Sequence, residues 1–491
     1  MKTLRIFIPI IILFTISSCD EELNLEPISN ISDATFWKTP DDATGALYGM
    51  YDRLRVLADN SSLLYWGDGR SEIMGWSFGT GPNIYWENLL DANNSGAGWN
   101  GLYTLIHHAN LIINYVPEIE FINENDKNKI LAQAYAMRAF SYYWITRLWG
   151  ESVIITEPTT DFSPASIQKE RRPIEEVFTL IKSDIDEALI LFKDNSIPEG
   201  RFEWSKPSVN TLKADVYLWT AKKLNGGEAD LNSALTALNE VESANVELLE
   251  DYNSIFNYDN KGNSEILFAI RFQEFEPGEN WGRESYMANG YVPSNLTQES
   301  AEAIGTMGTV GGNYTISELV RSQFSELDQR GNGATFKDVY TIEDSGEVQY
   351  YTTFCSKYDG TITGGVRLFV DDVVIYRYAD VLLLKAEIKN ALGEDPSLEI
   401  NQIRERAYGE NFEQFRFENG TREYNDEIIL QERLLEFSFE GKRWFDLLRF
   451  DKAFELVPSL QDRSSDKYLE LFPISESILA LEPKISQNQG Y

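Results

Sequence analysis

The sequence predicts a mostly α-helical protein in which helix pairs wrap around a loop-rich, partly β face. Three observations carry this. Long segments place apolar residues at helical spacing. Residues 255–375 lose that period and alternate short β-rich pieces with Gly-rich loops. Aromatic side chains gather in two glycine-rich loop segments outside the helical stripes.

The first helix is "PDDATGALYGMYDRL", opening at Pro40 with Asp41 and Asp42 in its first turn, where acids oppose the helix dipole favourably. Residues 60–98 then fill with Gly, Trp, Asn and Tyr and read as loop. "AGWNGLYTLIHHANLIINYV" and "KNKILAQAYAMRAFSYYWITRLWG" are strong helices. In the second, Ile130, Ala134, Met137, Ser141, Ile145 and Leu148 share one stripe, while Leu131, Tyr135, Ala139 and Tyr142 fill the next, which predicts burial on most sides. Helices follow in "PIEEVFTLIKSDIDEALILF", "KPSVNTLKADVYLWTAKKL" and "DLNSALTALNEVESA", and strands in "EILFAIRF" and "VRLFVDDVVIYR". Helix returns with "ADVLLLKAEIKNALG", "SLEINQIRERAYG" and "NDEIILQERLLEFSFEGKRWFDLLRF". No repeat of fixed period is visible.

The amino terminus carries its own message. Lys2 and Arg5 precede an apolar run, Ile6 to Ile16, that is too short to span a membrane, and Ser17, Ser18 and Cys19 close it. Ile16-Ser17-Ser18-Cys19 resembles a bacterial lipobox, so residues 1–18 read as a lipoprotein signal, Cys19 as the lipidated first residue, and 19–35 as a polar tether. With Cys19 acylated, Cys355, the other of two cysteines, has no disulfide partner, and a 43% hydrophobic chain must rely on its core. The formal net charge is −35, and removing Lys2 and Arg5 with the signal takes it to −37. Such an anion repels nucleic acid, which excludes that class of ligand.

Catalytic patterns are sparse. The two histidines, His107 and His108, are adjacent on a helix and point about 100° apart, so they do not form a two-ligand zinc site. Glu432, Glu436 and Glu440 fall on one helix face, but Arg433, Lys442, Arg443 and Arg449 interleave with them. Spacing lets Glu440 reach Arg443 and Asp446 reach Arg449, a neutralised packing helix. A glycosidase needs two carboxylates about 5 to 10 Å apart in a cleft, and among 78 acids no pair is marked. No cofactor is expected, and a calcium ion among the acids is left open.

The aromatic loops are the strongest functional signal. "LLYWGDGRSEIMGWSFGTGPNIYWENLLDANNSGAGWN" holds Trp76, Phe78, Tyr85 and Trp86, and "FQEFEPGENWGRESYMANGYVPSN" adds Trp281, Arg283 and Tyr291. Sugar rings have apolar faces that stack on aromatic planes, and hydroxyls that need Asn, Asp or Arg partners. These seven residues are the candidate ligand contacts. Trp66 and Trp99 flank helical segments and read as packing residues.

The segments "AYAMRAFSYYWITRLWG", "NSEILFAIRF", "YRYADVLLLKAE", "INQIRERA", "LLEFSFEGKRWFDLLRF" and "LFPISESILALEPKISQNQGY" together resemble the SusD/RagB nutrient-binding lipoproteins of the Bacteroidetes outer membrane, over nearly the whole of residues 36–491. The resemblance implies tetratricopeptide-like helix pairs as scaffold, an N-terminal part of about 36–250 and a C-terminal part of about 251–491. It implies a surface-exposed, lipid-anchored outer-membrane protein that binds glycan without chemistry. It also implies a SusC-like TonB-dependent transporter as partner, over which the protein acts as a lid, with "CDEE" as the signal for the outer face. The family's binding loops vary, so the resemblance carries no ligand residue onto this chain. Peptide as ligand, and a surface hydrolase with an unrecognised carboxylate pair, are the alternatives.

Overall fold

The structure, a computed structural model, describes residues 36–77, 82–96, 98–161, 163–286, 289–305 and 312–491. The signal, Cys19, the tether and Phe78 lie outside the described residues. About half of the chain is helical, and among the described residues no helix is long and apolar enough to cross a membrane.

Helix α1 spans Pro40–Asp59. The Thr39 side chain accepts the Asp42 N–H at 3.3 Å, while the Asp42 carboxylate accepts the Thr39 N–H at 2.8 Å. This reciprocal cap, with Pro40 in the first turn, explains why the helix begins where it does. Consecutive helices α2 (Asn100–Tyr115), α3 (Glu124–Trp149) and α4 (Ile174–Leu191) pack side by side, followed by the pair α5 (Lys206–Lys223) and α6 (Gly227–Val241). The expected burial of α3 is met: every residue from Ile130 to Trp149 except Tyr135 is buried. Its one buried ion pair with α4 is bidentate, Arg138 donating to both oxygens of Asp184 at 2.7 and 2.8 Å.

Among the described residues, strands form four two-stranded antiparallel sheets. Strand β1 (Met74–Gly75) pairs with β3 (Thr315–Ile316), and β2 (Ile266–Ile270) with β8 (Val373–Arg377) in the core. The hairpin β4 (Phe336–Ile342) with β5 (Val348–Cys355) is the longest pairing, and β6 (Thr361–Thr363) with β7 (Val366–Leu368) is a shorter one. The stretch "VRLFVDDVVIYR" is therefore two strands, β7 and β8, broken at 369–372. Helices α7 (Tyr378–Leu392), α8 (Ser397–Tyr408), α9 (Arg422–Phe437) and α10 (Arg443–Arg449) complete the scaffold.

Two sequence expectations need correction here. The segment 425–450 is not one helix, because the chain turns at 438–442, where Phe439 (φ 67°) and Gly441 (φ 71°) adopt left-handed backbone. Glu440 consequently leaves the face shared by Glu432 and Glu436. It pairs with Lys357 and Arg377, each at 2.9 Å, instead of with Arg443, whose partner is Glu72 at 2.5 Å. Asp446 does meet Arg449, at 2.8 Å. All three glutamates are buried in a neutralising network in which Glu436 accepts from Arg330, Arg377 and Arg406. Burial alone pushes Glu440 upward, yet Arg377, Lys357 and Lys442 outweigh it and hold the carboxyl at about 2. Cys355 is buried and free, its thiol pushed up to about 12 by burial.

Candidate functional site

The turn after α1 starts the site. Ser61, in left-handed backbone (φ 60°), redirects the chain into the short helix Ser62–Gly67. Gly67 then meets the 438–442 turn so closely that a Cβ there would lie 1.9 Å from the Gly441 carbonyl oxygen. Asp68 fixes the same contact by accepting the N–H groups of Gly441, Lys442 and Arg443, each at 2.9 Å; burial, resisted by these bonds, raises its carboxyl to about 6. The loop that follows is pinned by Arg70. It is buried, donates to Asn88 Oδ1 at 2.8 Å and to the carbonyls of Leu469 and Leu471, and lies over the Trp444 ring at 4.3 Å. Irregular as it is, the aromatic loop is thus anchored to the C-terminal scaffold.

On this frame Tyr65 and Tyr85 stack, with ring centroids 4.7 Å apart and planes 15° apart. The Tyr65 hydroxyl donates to Glu284 at 2.9 Å, and Ser61 donates to the other Glu284 oxygen at 2.7 Å. The Tyr85 hydroxyl donates to the Gly96 carbonyl at 2.9 Å. Gly96 has to be glycine: its φ is 74°, and a Cβ would stand 3.0 Å from the Tyr85 ring. Burial raises both phenols, Glu284 adding to the effect, so both rings are uncharged at neutral pH. The pair forms one wall of an open groove of about 520 Å³, with Asn60, Ser62 and Asn83 supplying polar edges. The arrangement is an aromatic platform ringed by amides and a hydroxyl, suited to a hydroxyl-rich ring.

The predicted contacts do not all converge. Tyr85 lines this groove. Trp76, launched directly after β1, and Trp86 are both half-buried and meet edge to face at 5.0 Å. Arg283 is held at the end of α1, 3.2 Å from the Asp59 carboxylate and 2.8 Å from its carbonyl. Tyr291 is exposed on another loop, where its carbonyl accepts from Tyr351. Trp281 is a correction: at 1% exposure it is a core residue packed edge-on against Tyr358 at 5.5 Å, with no face for a ligand. Trp66 and Trp99 are buried, as their positions suggested. Sequence reasoning missed Tyr65, Asn83 and Glu284. Tyr65 and Asn83 stood inside the quoted loop, and Glu284 one position from Arg283. Among the described residues no group of three or more His, Cys, Asp or Glu is arranged to hold a metal ion.

Residues 277–491 match the SusD family profile, and residues 72–218 match the profile described as "Starch-binding associating with outer membrane". Over 99% of its length the chain is 31% identical to SusD-like protein P38 of Formosa agariphila, covering 98% of that protein. The chain belongs to the SusD family. The structure of B. fragilis NanU superposes on this SusD-family chain with a TM-score of 0.84 at 33% identity, covering 95% of this chain and all of that one. Starch-binding protein SusD of Bacteroides thetaiotaomicron is 21% identical over 77% of this chain and 75% of its own.

Proposed function

We propose that the protein is a non-catalytic glycan receptor, lipid-anchored through Cys19 on the outer face of the outer membrane. There it delivers an oligo- or polysaccharide, as a lid, to a SusC-like TonB-dependent transporter. The observation that carries the glycan reading is the uncharged Tyr65–Tyr85 platform in a polar-edged groove, in a chain whose family includes a starch-binding protein. Glu284, the carboxylate beside the platform, positions it: its two oxygens accept from the Ser61 and Tyr65 hydroxyls. Trp76 and Trp86 extend the aromatic surface of the same loop, and Arg283 and Tyr291 are proposed as more distant contacts.

Calorimetric titration with malto- and β-1,3-gluco-oligosaccharides tests the reading. The wild-type chain should bind at least one series and return it at unchanged length. Replacing Trp76, Tyr85 and Trp86 by Ala together should remove most of the affinity and leave the fold intact. Shortened products after incubation would overturn the non-catalytic reading.

A further inference from the structure

A second groove runs along α1 itself, between that helix and residues 270–276, with a volume of about 440 Å³. Its wall is aromatic and its rim is charged but balanced. Tyr48 is 50% exposed and Phe275, next in sequence to the groove residue Glu276, is 95% exposed. Phe202 lies under the Arg271 guanidinium at 5.5 Å. Arg55 joins Asp52 at 2.6 Å to Glu276 at 2.7 Å, and Arg271 meets Glu276 at 2.8 Å.

We propose that this groove is a second carbohydrate subsite, taking neutral, hydroxyl-rich rings of the same oligosaccharide whose other part lies on Tyr65 and Tyr85. The inference rests on the glycan-binding reading above. Four arguments support it. Arg53 also meets Asp52, at 3.1 Å, and Glu203 stands beside Tyr48, so three guanidinium groups and three carboxylates balance at the groove, and hydroxyls can bridge the half-exposed edges of Asp52, Arg271 and Glu276. The aromatic wall is held in place from behind. Tyr51 donates to Gln133 at 2.6 Å and accepts the Trp204 backbone N–H at 2.8 Å, and the Glu203 carboxylate stands beside Tyr48.

The third argument is Phe275 itself. A solvent-exposed phenylalanine at φ 69° gains nothing from burial and carries backbone strain on the order of 1–3 kcal/mol, which folding alone does not explain. The fourth is continuity. Asp59, at the end of α1, accepts the Glu279 N–H at 3.1 Å and pairs with Arg283, while the next residue, Glu284, supports Tyr65. The segment 276–284 therefore touches both grooves. Asp52 and Asn60, one at each groove, are eight residues apart on and just beyond α1, about 12 Å along its axis, a separation that a short oligosaccharide bridges.

The test compares tri- and heptasaccharides of the malto and β-1,3-gluco series by calorimetry. Tyr48→Ala with Phe275→Ala should weaken heptasaccharide binding about tenfold and change trisaccharide binding less than about twofold. Tyr85→Ala should weaken both. Phe275→Gly, which suits the left-handed backbone, should lower heptasaccharide affinity while holding or raising the melting temperature. Unchanged heptasaccharide affinity in the double variant, with Tyr85→Ala still impaired, overturns the second subsite and leaves the receptor reading standing. Absence of binding by the wild-type chain to every probe overturns both.

Discussion

Tyr85 and Trp281 sit in similar company, each among glycines and polar residues, yet one lines a groove and the other is sealed beneath Tyr358. Local composition marks both; which ring keeps a free face depends on contacts between segments more than 70 residues apart, and these leave no local trace. Tyr65 was missed for another reason: residues 60–98 read as loop, whereas Ser62–Gly67 forms a short helix from which the Tyr65 ring stacks on Tyr85. The stacked pair gives a direct expectation. Tyr85→Ala removes the groove wall and should cost roughly 1–2 kcal/mol of glycan binding, measured by calorimetry. A second expectation concerns Asp371. Burial, reinforced by Asp359, raises its carboxyl to about 8, and its bond from the Gly360 N–H only partly offsets this. Because the folded value lies above the ordinary aspartate value of 3.8, its stabilising share is complete below about pH 4 and is lost as pH rises through about 8. Asp371→Asn keeps an acceptor for Gly360 and removes the titration. Chemical denaturation should show a flatter profile across that window, and a variant more stable than wild type at about pH 9 by on the order of a few kcal/mol.

The elements were the most legible level. Helices α1 to α8 stand close to where apolar period placed them, because a buried stripe is written in neighbouring residues. The break between α9 and α10 was not legible: "FSFEGKRWF" continues an apolar helical period. What stops the helix is remote, the backbone contact of Gly67 with Gly441 and the three N–H groups gathered by Asp68. Gly67→Ala should therefore drive a methyl group into the Gly441 carbonyl and lower stability by about 1–3 kcal/mol, read as a fall in melting temperature. The break also delivers Glu440 to Lys357 and Arg377, completing the buried network around Glu436. Removing one partner from such a network is costly even where the network adds little net stability. Glu436→Gln leaves Arg330, Arg377 and Arg406 under-compensated and should destabilise by about 3–5 kcal/mol in denaturant titration.

At the scale of the whole molecule, a helical scaffold with a buried ion-pair network presents irregular loops, with one groove along the second half of α1 and another just beyond its end. The proposed anchoring and partner act at this scale. Cys19→Ala should release or mislocalise the protein without unfolding it, followed by membrane fractionation and a thermal melt. Mild detergent extraction should recover the wild-type chain with a TonB-dependent transporter. Charge, helix content and family membership were legible in the sequence because they are distributed over many residues, whereas the grooves arise where α1, the 60–98 loop and the 270–284 segment meet. The most direct test of the central claim is calorimetry of the mature chain with malto- and β-1,3-gluco-oligosaccharides, paired with chromatography of the recovered sugar. The wild type should bind saturably, Tyr85→Ala more weakly, and the oligosaccharide should be recovered at its original length. Equal affinity in Tyr85→Ala, or a sugar cut by the protein, would contradict that claim.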